Sequence, residues 1–290
     1  MDRKVYHIPY LGYHTRAYVF GDLSKGTPLI LLHGGPGGCI ERYEPLEKLA
    51  DFGIPLIYYD QLGCGYSKVP KNHGISWNFS VFLDEFDNLI NYFKLKKYNV
   101  LGHSWGGMLA LEYVCNHNHA GLEKLILFST LPSTKIWNDE HLKMIENFTS
   151  EERNALLLER DGKPYDSIAY KNAIRKFYRL HVGKRSKDLY PFKTKRFPKT
   201  NKEIYELMWG KSELFGTGTL LNWNVEDKLK NVDVPTLILS GAMDESSPAM
   251  NELMNNRIKN STWVLLEKSH HIGYVEETDL VILTIKEFIK

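Results

Sequence analysis

In the first half of the chain, short apolar runs alternate with longer stretches of helical period. The runs at 15–20, 28–33, 55–60, 98–102 and 124–129 are dense in Leu, Ile, Val, Tyr and Phe, which predicts buried strands. Between the third and fourth, Phe79, Phe82, Leu83, Phe86, Ile90 and Phe93 recur at helical spacing and predict an amphipathic helix over 79–94, with its aromatic stripe in the core. Strands separated by helices need crossover connections, so the pattern predicts an α/β fold with a mostly parallel sheet flanked by helices. After Leu131 the rhythm changes. Up to about Trp223 the chain is charged, aromatic and helical in period, and the strand pattern resumes only at 235–240 and 262–267. The expected organisation is therefore a core at 1–130, a helical cap insertion at 131–223, and the rest of the core at 224–290. Within the cap, 184–202 is basic and is interrupted by Pro191 and Pro198, which reads as a solvated loop between helices.

Composition narrows the function classes. The chain has 290 residues, enough for one core domain and a sizeable insertion. With 37 Lys+Arg against 35 Asp+Glu the net charge is +2, too small to draw in nucleic acid or an anionic membrane surface. No apolar run is long enough to span a bilayer, and Met1-Asp2-Arg3-Lys4-Val5 leads into a mixed polar segment rather than a signal-peptide stretch. No membrane insertion is expected. The expected location is cytoplasmic, with peripheral association at the cell envelope as the alternative. Cys39, Cys64 and Cys115 show no CxxC spacing, so neither a disulfide framework nor a zinc site is indicated, and no metal or cofactor is expected.

The chemistry is concentrated in a few motifs. Gly102-His103-Ser104-Trp105-Gly106 follows a predicted strand and precedes a predicted helix at 108–116, the setting of a nucleophile elbow. Small residues flank the serine because the turn is too tight for side chains, and the turn lifts the hydroxyl to the C-terminal edge of the sheet. This makes the α/β-hydrolase fold, with Ser104 as nucleophile, the leading reading. A serine hydroxyl needs a base to take its proton and an acid to orient that base, in the chain order Ser, acid, His. Asp244, beyond the strand at 235–240, and His271, beyond the strand at 262–267, fall at C-terminal strand ends; His270 competes with His271. His33-Gly34-Gly35-Pro36-Gly37 follows the strand at 28–33 and offers backbone amides for an oxyanion, with Gly35 and Trp105 as the expected donors. The same loop matches neither a dinucleotide nor a Walker sequence.

With these motifs in view, the chain resembles the proline iminopeptidase (prolyl aminopeptidase) family, which includes the tricorn-interacting aminopeptidase factors. The resemblance rests on His33-Gly34-Gly35-Pro36-Gly37, Asp60-Gln61-Leu62-Gly63-Cys64-Gly65-Tyr66-Ser67, Gly102-His103-Ser104-Trp105-Gly106-Gly107, Asp244-Glu245, and the stretch from His271 to Glu276-Glu277. It selects His271 over His270. It implies a serine aminopeptidase that releases N-terminal residues, preferentially proline, from short peptides with a free N-terminus, supplied by an upstream peptide-generating protease. It also implies acidic groups for the substrate amine, on Glu213 and Glu245, with a hydroxyl from Tyr205. Met208-Trp209-Gly210-Lys211-Ser212-Glu213 resembles the family's M-x-G-P-N-E, but Lys211-Ser212 replaces Pro-Asn and brings a cation next to the proposed amine site. The rival readings are a carboxylesterase or amide hydrolase indifferent to the amine, and a noncatalytic ligand-binding homologue.

Overall fold

In the computed structural model, which describes residues 3–117, 119–163, 166–183 and 198–290, the apolar runs form strands β2 (Tyr13–Phe20), β3 (Leu29–Leu32), β4 (Leu56–Asp60), β5 (Tyr98–His103), β6 (Leu122–Phe128), β7 (Thr236–Gly241) and β8 (Ser261–Leu266). A further strand, β1 (Arg3–Tyr10), precedes them. All eight make one sheet in the order β1-β2-β4-β3-β5-β6-β7-β8. Strands β3 to β8 run parallel, and only β1 and β2 are antiparallel to their neighbours. The two-residue side-chain period divides the core between the two faces of the sheet. Ile57 and Tyr59 of β4 pack into one hydrophobic cluster, Leu56 and Tyr58 into another.

The first face is covered by α1 (Phe79–Tyr92), α2 (Trp105–Asn116) and α7 (Pro248–Arg257), through Phe82, Phe86, Leu109, Met250 and Met254. The aromatic stripe of α1 is buried core, capped by the Asn78 side chain on the Val81 amide. The second face is covered by a 3₁₀ segment (Ile40–Phe52), α8 (Gly273–Glu276) and α9 (Thr278–Ile289).

Between β6 and β7 the described residues are helical: α3 (Thr134–Met144), α4 (Ser150–Arg160), α5 (Ile168–Phe177), a π turn (Tyr178–Val182), α6 (Lys202–Met208) and a 3₁₀ turn (Glu226–Asn231). This segment has its own small core, with Ile145, Phe148, Leu156, Phe177, Leu214 and Phe215 buried together. Its two ends meet: Ser133 bridges Asn224, the Thr134 amide donates to the Trp223 carbonyl, and the Val225 amide to that of Pro132. Most of the basic stretch at 184–202 lies outside the described residues. Among the described residues, no helix is long and apolar enough to cross a membrane.

Candidate active site

Ser104 stands between β5 and α2 with φ 55° and ψ −121°. A β-carbon residue in the left-handed region costs about 1–3 kcal/mol, which only a tightly held turn sustains. The flanking glycines show why the turn is tight. A Cβ on Gly102 would lie 2.3 Å from the Gly106 carbonyl oxygen, and one on Gly106 would lie 2.0 Å from that of Leu32. The turn is pinned by the Ser104 amide on the Phe128 carbonyl and by the Thr130 hydroxyl on the Ser104 carbonyl. Ser104 remains 8% exposed.

His271 and Asp244 come together from the loops after β8 and β7. His271 Nδ1 lies 2.8 Å from Asp244 Oδ1, which also accepts the Ser246 amide. Burial would raise the Asp244 carboxyl, but the charge of His271 and its hydrogen bond outweigh this and hold it below its ordinary value. His270 turns elsewhere, with its Nδ1 2.9 Å from Glu276 Oε1. Among the described residues, Ser104 Oγ makes no hydrogen bond to His271. The other ring nitrogen, Nε2, lies 3.5 Å from Glu245 Oε1 instead. Burial would lower His271, but Glu245, then Asp244 with its hydrogen bond, then Glu213, push it up to about 9.

The loop His33-Gly34-Gly35-Pro36-Gly37 lies against this centre, since a Cβ on Gly34 would come within 3.2 Å of the Ser104 Cβ. Trp105 is the first residue of α2, so its amide has no carbonyl to bond inside the helix. Two chains of hydrogen bonds hold loop and elbow together. The Gly34 amide donates to Tyr43 Oη, which lies 2.9 Å from His103 Nδ1, and His103 Nε2 reaches the His271 carbonyl. Trp105 Nε1 donates to Gln61 Oε1, while the Gln61 amide donates to His33 Nε2. Burial keeps both histidines neutral, pushing His103 down to about 3 and His33 to about 4. Each ring can therefore accept on one nitrogen and donate from the other. The bracing roles of Tyr43, Gln61 and His103 were invisible in the sequence, where only motif membership marked two of them.

Glu245 and Glu213 both act on the charge of His271. Glu245 follows Asp244 on the core loop and is fully buried, and neither of its carboxylate oxygens has a hydrogen-bond partner among the described residues. Glu213 lies in the helical segment between β6 and β7, where its amide donates to Tyr178 Oη and its carbonyl accepts Trp137 Nε1. Burial raises both carboxyls; His271 opposes this in both, and for Glu245 the neighbouring Glu213 and Asp244 raise it further. Tyr205 Oη is buried beside Glu213 and favours its charged form without completing a hydrogen bond of ordinary geometry. Lys211, in contrast to the expectation of a cation at the amine site, is 53% exposed and pairs with Glu206 on α6. Ser212 turns inward to Glu159 Oε1 at 2.7 Å. Among the described residues, no group of three or more His, Cys, Asp or Glu is placed to hold a metal ion.

Comparisons with known proteins identify the fold and the family. The profile of the α/β hydrolase fold family matches residues 27–278. The proline iminopeptidase of Clostridioides difficile is 34% identical over 98% of this chain and 97% of the relative. That of Lactobacillus helveticus is 35% identical over 97% and 96%. The crystal structure of the Mycobacterium smegmatis proline iminopeptidase superposes with a TM-score of 0.83 at 25% identity, covering 99% of this chain and 97% of the other. Both sheet and sequence match along nearly the whole length, and the chain belongs to the proline iminopeptidase family of α/β-hydrolases.

Proposed function

We propose that this protein is a serine aminopeptidase that releases N-terminal residues, preferentially proline, from short peptides. The observation that carries this reading is the buried Glu245 carboxylate, without hydrogen-bond partners and 3.5 Å from the proposed base. A buried carboxylate that accepts no hydrogen bond, and has His271 no nearer than 3.5 Å, is costly unless a closer cation completes it, and a peptide's N-terminal ammonium is the cation that would arrive beside Ser104. Trp137, its ring 6.5 Å from that of His271, and Trp209, 5.5 Å from Trp137, put an aromatic wall next to the base. Such a wall suits a pyrrolidine ring.

In this mechanism the ammonium docks between Glu213 and Glu245, and Tyr205 supports Glu213. His271, oriented by Asp244, takes the Ser104 proton as Oγ attacks the first carbonyl. The Gly35 and Trp105 amides receive the oxyanion. His271 gives the proton to the departing amine, and water, deprotonated by the same base, releases the amino acid from the acyl-enzyme. The insertion at 131–223 acts as a cap that limits substrates to short peptides, which places this enzyme downstream of a peptide-generating protease. Replacing Glu213 by Gln tests the reading. Hydrolysis of a prolyl arylamide should fall by roughly tenfold or more while that of a neutral aryl ester is retained, because charge-assisted pairing with the amine is lost. Equal loss on both substrates would make Glu213 a structural residue.

A further inference from the structure

A base that must deprotonate Ser104 is here engaged by something else. His271 Nδ1 is held by Asp244 at 2.8 Å, and Nε2, the nitrogen that has to face the serine, lies 3.5 Å from Glu245 Oε1 with no hydrogen bond to Ser104. We propose that Glu245 restrains the base in the free enzyme by pairing with His271 as an imidazolium, and that the substrate's ammonium releases it by taking over Glu245. The inference rests on the amine-site reading above and adds to it a coupling between amine recognition and catalysis.

The charges around the ring support it. Asp244 and Glu245 face His271 from the β7–α7 loop and Glu213 from the cap, three carboxyl groups about one imidazole. The other titratable groups packed nearby bring no negative charge. His103 on the elbow and His141 on α3 are buried and neutral, with His141 lowered to about 3 by burial. Tyr178 and Tyr205, near the glutamates, are pushed upward by burial. His181, lowered by burial, contributes its backbone carbonyl, which accepts the amides of both Glu245 and His271 and so fixes the pair's spacing. Arg42 is the only cation that adds to the field at Glu213 among the groups named for it, apart from His271 itself. A proton on His271 thus offsets part of the negative charge that Asp244, Glu245 and Glu213 bring to this pocket when it holds no substrate.

When an ammonium enters, it supplies that positive charge. The Nε2 proton leaves to solvent, and Nε2 becomes an acceptor for the Ser104 proton. No bond to carbon changes in this step: one substrate cation is bound and one proton is released. By reciprocity, holding the proton on His271 weakens amine binding by the same factor. A substrate lacking the amine meets a base that is still protonated at neutral pH, so selectivity for free N-termini arises in the base as well as in binding.

The test compares pH profiles. For a neutral aryl ester such as p-nitrophenyl acetate, kcat/KM reports the free enzyme, and its acid limb should lie near the raised value of His271, about 9. For a prolyl arylamide, kcat reports the occupied site, and its acid limb should lie at least a unit lower. In Glu245→Gln the ester limb should move down toward the ordinary histidine range. Ester hydrolysis at pH 7 should then rise by roughly tenfold or more, one decade per pH unit of the shift, while prolyl arylamide hydrolysis falls. Coincident limbs in the wild-type enzyme, a comparison that needs no variant, would overturn the inference. So would an unmoved ester limb in Glu245→Gln with prolyl arylamide hydrolysis lost, although the amine site would then stand. Undiminished prolyl arylamide hydrolysis in the variant would instead overturn the amine site itself.

Discussion

At the residue scale, the proposed chemistry needs Ser104 in a conformation few side chains adopt and His271 in a charge environment few histidines experience. Replacing Ser104 by Ala should lower kcat by at least about 10³-fold with little change in the thermal midpoint, since the hydroxyl makes no hydrogen bond that holds the fold together. Kinetics and a thermal melt together check this; retained turnover would remove Ser104 from the mechanism. The serine was legible because its neighbours must be glycines for steric reasons that leave a five-residue trace. Asp244 and His271 were legible only as residues at strand ends in the right order. Choosing His271 over His270 required the family resemblance, and in the structure the two histidines divide cleanly between Asp244 and Glu276. What the sequence did not reveal is the contact between Glu245 and the base, which depends on a backbone spacing set by the His181 carbonyl from a distant helix.

At the scale of elements, the elbow is a strand and a helix packed at backbone contact. Gly106→Ala would drive a methyl group into the Leu32 carbonyl of β3, and the cost should reach or exceed the upper end of about 1–3 kcal/mol for overpacking. Denaturant unfolding measures it; a neutral effect would mean that β3 and α2 separate more easily than their spacing implies. Helix α3 offers a second case. Its His141 ring sits between the Leu214 carbonyl at 2.7 Å and the Glu245 carbonyl at 2.9 Å, and as a neutral ring it donates its single N–H to one of them while packing against the other. His141→Ala should destabilise by roughly 2–4 kcal/mol, from a lost buried hydrogen bond and a cavity. It should also lower activity on amine substrates; an unchanged unfolding midpoint would contradict the first effect. The interior strands were legible from composition to within one or two residues. β1 was not, because of its residues only Ile8 is fully buried, with Tyr6 and Tyr10 packed partly buried against the core. A solvated edge strand containing Pro9 carries no buried apolar run to recognise. Its turn is equally quiet: Leu11 and Gly12 both take positive φ, where Asn-Gly would have announced a hairpin.

At the scale of the whole molecule, the proposed nucleophile, base and acid lie on loops of the sheet, while Glu213, Tyr205, Trp137 and Trp209 lie between β6 and β7, so in the proposed mechanism amine selection depends on how the two parts are held together. Asn201 makes one such connection. Its amide donates to the Gly37 carbonyl and its side chain to that of Gly63, tying α6 to the two glycine-rich core loops. This long-range assembly is the least legible property of the sequence: 131–223 could be recognised as different in pattern, but not how its residues meet the loops after β3, β7 and β8. The central claim is that these two parts together read a free N-terminus. The most direct measurement is kcat/KM for a prolyl arylamide beside its N-acetylated form on the wild-type enzyme. Acetylation removes the cation and leaves Glu213 and Glu245 without it, so the rate should fall by about 10²-fold or more. Equal rates on the two substrates would contradict the account.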